Sequence, residues 1–193
     1  MMTKVPNTKH LLTAAAIAFF MLLTRGSHVL TAVSLPDASL VLFLLGGLNL
    51  GTGVKSRTAW FAGFFALAAV IDFGASALDP VQGFCLTNGY WGLIPSYGAM
   101  WLGGLWLSQQ NDAFQTVKYA AVSMLTTFVA FVISTQTYYL FSGRFPANGL
   151  LESLQHGWEY LPNWMLVNMA YFAVIWLGVL AVRQLNSFKM AKI

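Results

Sequence analysis

Charged side chains are what this sequence has least of. Ten Lys and Arg and six Asp and Glu make up 8% of its 193 residues, where soluble domains carry roughly 25%. So few charges cannot cover the surface of a water-soluble fold. The ten basic residues give a formal charge of +4, but they stand singly at segment ends and form no basic stripe, which excludes nucleic acid as a partner. One cysteine excludes an intrachain disulfide, a cysteine zinc cluster and a CxxC pair. The chain also lacks GxSxG, HExxH and a GxxxxGK[ST] phosphate loop, so it does not hydrolyse ATP by itself. There is no repeat of fixed period, no low-complexity tract and no Gly/Ser linker. A single domain over 1–193 is therefore expected.

What is present is apolar. Hydrophobic residues make up 58% of the chain, and its mean hydropathy is +0.65. A spanning helix needs roughly 20 mainly apolar residues, each rising about 1.5 Å through a hydrocarbon core of about 30 Å. Six segments approach or meet this, at about 11–24, 38–51, 58–77, 91–107, 116–141 and 161–182. The first is short, and the second has an apolar lead-in from Leu30. The fold class predicted is an all-α integral membrane bundle of six transmembrane helices.

Basic residues set the orientation, because cytoplasmic loops collect Lys and Arg. With the amino terminus inside, Lys4, Lys9, Lys55, Arg57, Lys118, Arg183, Lys189 and Lys192 are cytoplasmic, and only Arg25 and Arg144 are outside. An odd number of spans would put the basic tail outside, so both termini are read as cytoplasmic. Lys4 and Lys9 before LLTAAAIAFFMLL also have the make-up of a secretory signal, but TRGSHVL supplies no small-x-small cleavage site.

The two faces differ. GTGVKSR and SQQNDAFQ are read as plain inner turns, whereas the outer loops are longer and richer in chemistry. The first outer loop holds Arg25, His28, Pro36 and Asp37. The second is ALDPVQGFCLTNGYWG, and the third carries Arg144, Glu152, His156, Trp158, Glu159 and Tyr160. Long ordered loops are usually functional, which places a ligand site at the outer surface. Tryptophans there also suit an interfacial belt.

Cys85 is the centre of that site. A lone cysteine is commonly a small buried hydrophobe, but this one sits mid-loop between Gly83 and Asn88-Gly89, where an exposed thiolate is a soft ligand and nucleophile. Without companion ligands, any metal it binds must arrive inside a ligand that supplies the other donors. Asp72 is the only acid inside a predicted span. It is either functional, as an intramembrane acid is by default, or it caps the loop above it by accepting from backbone donors. Tyr90 and Trp91 suit stacking on a flat ligand or the interfacial belt. Asn88 offers amide hydrogen bonds, and His28 and His156 reach in from the flanking loops or stand solvated. Ala14 and Ala18 form a small-xxx-small pair, widened by Ala15 and Ala16, that admits a partner helix in the bilayer.

Six helices in 193 residues, outer loops shaping a pocket and alanines on the first helix resemble the substrate-binding S-components of energy-coupling-factor vitamin transporters. The segment VIDFGASALDPVQGFCLTNGYWG more narrowly resembles the BtuM-type cobalamin transporters, through Cys85, Tyr90 five positions on, and Asp72 below. The resemblance implies an S-component-like bundle in a bacterial inner membrane, with a corrinoid (cobalamin) bound in a cavity open to the periplasm. Cys85 would be the axial metal ligand to the corrin cobalt and the catalytic residue for decyanation of cyanocobalamin. Tyr90, Asp72, His28, Asn88 and Trp91 would line the pocket. It also implies docking of a scaffold subunit and its ATPases on the Ala14/Ala18 face. Two other readings stay open: an S-component or permease for a different vitamin, and a membrane thiol enzyme using Cys85 as nucleophile.

Overall fold

The computed structural model describes residues 8–25, 35–50, 53–146 and 149–190. Among these described residues seven α-helices form, α1 (Thr8–Arg25), α2 (Ser39–Asn49), α3 (Val54–Leu78), α4 (Leu93–Ser108), α5 (Thr116–Phe141), α6 (Leu150–Ser153) and α7 (Leu161–Met190). Three 3-10 turns, Pro80–Cys85, Asn88–Gly92 and Trp158–Tyr160, join them. No strand occurs among the described residues.

Three stretches, Val54–Leu78, Thr116–Phe141 and Leu150–Ser187, are long and apolar enough to cross a membrane. Their large apolar side chains point outward: Val70, Phe73, Leu125, Leu166, Val174 and Leu177 are all exposed. In the most apolar of the three windows, only 11% of the residues are buried. Helices in water turn such residues inward. The outward face here has the length and apolarity of one able to cross a membrane.

The short α2 differs in kind. Its 11 residues rise about 16 Å, roughly half of a hydrocarbon core. Leu40, Val41, Leu42, Phe43, Leu44, Gly46 and Gly47 are all buried, so nearly every side of the helix faces protein. α2 packs chiefly on α4, and also touches α1, α3 and α7. A helix apolar all round is a core helix, and α2 is the axis about which the others assemble.

Cross-links fix the two ends of the bundle. At one end, Arg25 of α1 meets Asp37 before α2, Asp72 late in α3, and Tyr97 early in α4. Tyr171 of α7 donates to the Pro36 carbonyl there (2.8 Å). At the other end, Arg183 of α7 donates twice to Asp112 between α4 and α5 (3.0 and 2.8 Å). Consecutive long helices therefore run in alternating directions, and the residues read as outer gather at one end.

Several boundaries differ from the sequence expectation. α3 begins at Val54, so Lys55 and Arg57 lie in its first turns and not in a loop. α4 begins at Leu93, after a 3-10 turn that contains Trp91. α7 runs on to Met190. Ala14 is buried in the core and Ala18 packs against it, while Ala15 and Ala16 lie exposed on another face with Leu12, Phe19 and Phe20. The Ala14/Ala18 pair thus lets α1 approach helices of its own chain.

Candidate functional site

The site is built on an ion cluster at the end of the bundle where α1 closes and α2 begins. Arg25 closes α1 with a side chain only 8% exposed, in a chain that offers few charges to pair it. Its guanidinium grips Asp72 in a two-pronged bond, Nε to Oδ1 at 2.7 Å and Nη2 to Oδ2 at 2.6 Å. Its Nη1 donates to Ser39 Oγ (2.9 Å), to the Tyr97 hydroxyl and, at 3.3 Å, to Asp37. A planar five-donor group suits this geometry, which a lysine could not reproduce. Asp37 also caps the start of α2, accepting from the Ser39 amide (2.9 Å) and hydroxyl (2.6 Å).

Asp72 is shared between Arg25 and the loop above. Tyr90 donates its hydroxyl to Asp72 Oδ2 at 2.9 Å. Burial, with the Asp72 carboxylate beside it, holds the Tyr90 phenol well above its ordinary pKa, so it stays protonated and donates. The ring is buried near Phe65, Phe73 and Trp91. Asp72 therefore reaches the loop through the Tyr90 side chain, in addition to its pairing with Arg25.

The loop itself is two tight turns. Asp79 accepts from the Val81 amide (3.0 Å), and Pro80 opens the turn that ends at Cys85. Thr87 accepts from the Gly89 amide (3.2 Å) and starts the second turn. Both turns lie hard against helices. A Cβ at Gly83 would stand 2.3 Å from Ser76 Oγ of α3, and one at Gly89 would stand 2.8 Å from the Tyr138 Cα of α5. Arg144, from the loop after α5, donates to the Phe84 carbonyl (2.9 Å) and lies 3.8 Å over the Phe84 ring. The backbone of Cys85 is thus held beside a guanidinium, in a loop fixed from three directions; its side chain lies outside what is described. Phe84, Asn88 and Trp91 are exposed around it.

Of the expected site residues, Asp72 and Tyr90 touch, and Cys85, Asn88 and Trp91 share their loop. His28 lies outside the described residues. His156 stacks on Tyr139 of α5 (5.4 Å). Arg25, Ser39, Asp37 and Tyr97 were not expected at the site. The signal for Arg25 was available, since a lone intramembrane acid needs a cation and only two cations were assigned to that side. No cluster of three or more His, Cys, Asp or Glu occurs among the described residues. One cavity, of about 170 Å³, lies between α5 and α7 and is lined by Tyr119, Ser123, Phe172 and Trp176, among others. A second, of about 320 Å³, lies between α3 and α4. None of the expected site residues among those described lines either. Comparisons with models of protein families and with curated proteins find no match.

Proposed function

We propose that this chain is a six-span inner-membrane uptake protein, with both termini cytoplasmic, that binds a corrinoid at its outer end through Cys85. The observation that carries the reading is the fixed loop. α3, α5 and Arg144 hold the backbone around a lone thiol, with exposed Phe84 and Trp91 beside it. The ligand class comes from the resemblance of this segment to the BtuM-type transporters. A corrin brings four nitrogens to its cobalt, so one protein donor suffices. With cyanocobalamin as cargo, the thiol proton leaves to solvent and the sulfur–cobalt bond forms. The cobalt–cyanide bond then breaks, cyanide departs with its electron pair, and cobalt keeps its oxidation state.

The test is the visible spectrum of protein purified with cyanocobalamin, beside Cys85→Ala. The expected result is a shifted corrinoid spectrum and released cyanide in the wild type, both absent in the variant. Colourless protein in both forms sinks the corrinoid reading. Equal binding in both, with an unshifted spectrum, transfers support to a vitamin site in which the thiol is dispensable.

Orientation has its own test. In a Cys85→Ala background, Asn88→Cys is expected to react with a membrane-impermeant maleimide added to intact spheroplasts. Gln184→Cys, at the other end of the bundle, is expected to react only after permeabilisation. The reverse pattern would invert the topology.

A further inference from the structure

We infer that the groove between α3 and α4, at the end of the bundle opposite Cys85, is a binding site for one acyl chain of an anionic phospholipid, with Arg57 on the headgroup. This rests on α3 lying in the bilayer and is independent of what binds at the other end.

The groove has a volume of about 320 Å³. Val54, Thr58 and Phe61 line it from α3, and Gly98, Leu102 and Leu105 from α4, with Trp101 and Arg57 completing it. Each helix contributes residues seven positions apart, so the groove is about 10 Å long at 1.5 Å per residue. Its lining is apolar apart from Thr58 and Arg57, the surface an extended hydrocarbon chain requires.

Two residues say what fills it. Gly98 sits inside α4, where glycine weakens a helix relative to alanine. Close packing does not require it, because a Cβ there meets nothing within 4 Å. The glycines further along α4 behave oppositely, with Gly104 pressed on the α2 backbone. Gly63, Gly74 and Gly178 are as open as Gly98, but they line neither cavity. At Gly98 the missing side chain is what keeps the deep end of the groove clear. The second residue is Arg57, on the same α3 face one turn before Phe61, at the end of the groove near the start of the helix. Exposed Lys55 lies two residues before it. A cation at the mouth of an apolar slot at a helix end complements a lipid phosphate above its acyl chain.

Native mass spectrometry of the full chain, delipidated in detergent and titrated with palmitoyl-oleoyl phosphatidylglycerol or phosphatidylcholine, tests this. The wild type is expected to hold one phosphatidylglycerol about five-fold more tightly than phosphatidylcholine, the preference expected from one basic residue near a surface. Arg57→Gln is expected to erase that preference, and Arg57→Lys to restore part of it. Gly98→Leu is expected to lose the tight site for both lipids while circular dichroism and elution stay unchanged. Equal affinity for the two lipids in the wild type, or a preference that survives Arg57→Gln, overturns the headgroup assignment. A tight site that survives in folded Gly98→Leu overturns the groove.

Discussion

Arg25→Ala is expected to lower stability by about 3–5 kcal/mol, the range for removing one partner of a buried ion pair. The loss is large because four groups, Asp72, Asp37, Ser39 and Tyr97, converge on one guanidinium whose side chain is 8% exposed. Without it, the Asp72 carboxylate, 21% exposed, keeps only the Tyr90 hydroxyl as partner among the contacts described. Ser39, fully buried, and Tyr97 also lose a donor, and an unsatisfied buried polar group costs about 1–3 kcal/mol. Asp37→Asn provides the contrast. Asp37 is half-exposed and 3.3 Å from Arg25, so the change is expected to cost under about 1 kcal/mol. Pairing Arg25→Met with Asp72→Leu is expected to recover much of the loss, since apolar replacement of both partners is often close to neutral. Thermal unfolding in detergent measures all three. If Arg25→Ala were as mild as Asp37→Asn, the cluster would not hold the bundle.

The same cluster ties stability to the site. One oxygen of Asp72 receives both Arg25 and Tyr90, and Tyr90 lies in the turn that follows Cys85. Loss of Arg25 is therefore expected to disturb the loop through Tyr90 before it unfolds the chain.

The long helices were legible because their ends carry chemical marks. α5 covers 116–141 as expected, stopping before Ser142-Gly143, where Gly143 takes a positive φ. α7 begins at Leu161-Pro162, where proline costs no helical hydrogen bond. α2 was harder, because an apolar run reads the same whether lipid or protein surrounds it. Its 11 residues became a buried axis, with protein around nearly every side. The alanines of α1 carry a related ambiguity. Small residues announce close approach, but Ala14 and Ala18 are approached by the same chain, and Ala15 and Ala16 belong to another face. At the site, Asp72 was legible as an acid out of place. Its partner Arg25 stands 47 positions away and Tyr97 lies 72 from Arg25, distances that no local pattern spans.

Gly104→Leu is expected to cost at least about 3 kcal/mol, at or beyond the upper end of ordinary overpacking. A Cβ at Gly104 would stand 2.0 Å from the Leu44 carbonyl oxygen and 2.8 Å from the Leu48 amide. Across the same seam, a Cβ at Gly47 would stand 2.1 Å from the Trp101 carbonyl oxygen. Both obstacles are backbone, which cannot rotate aside as a side-chain tip can, so α2 and α4 must separate. That separation is costly because α2–α4 is the most extensive helix contact in the bundle, and small residues are how helices in lipid gain close packing. It also reaches the site. α4 carries Tyr97, stacked on Phe43 of α2 at 4.3 Å, and the Asn88–Gly92 turn feeds directly into α4. Moving α4 off α2 pulls Tyr97 from Arg25 and shifts the loop that holds Cys85. Gly98→Ala, six residues earlier where a Cβ meets open space, is the control and is expected to be neutral or stabilising in the same unfolding measurement. A Gly104 variant as stable as the Gly98 control would show that the seam tolerates separation. A collapse confined to Gly104 would show that the loop's position begins with two helices touching backbone to backbone.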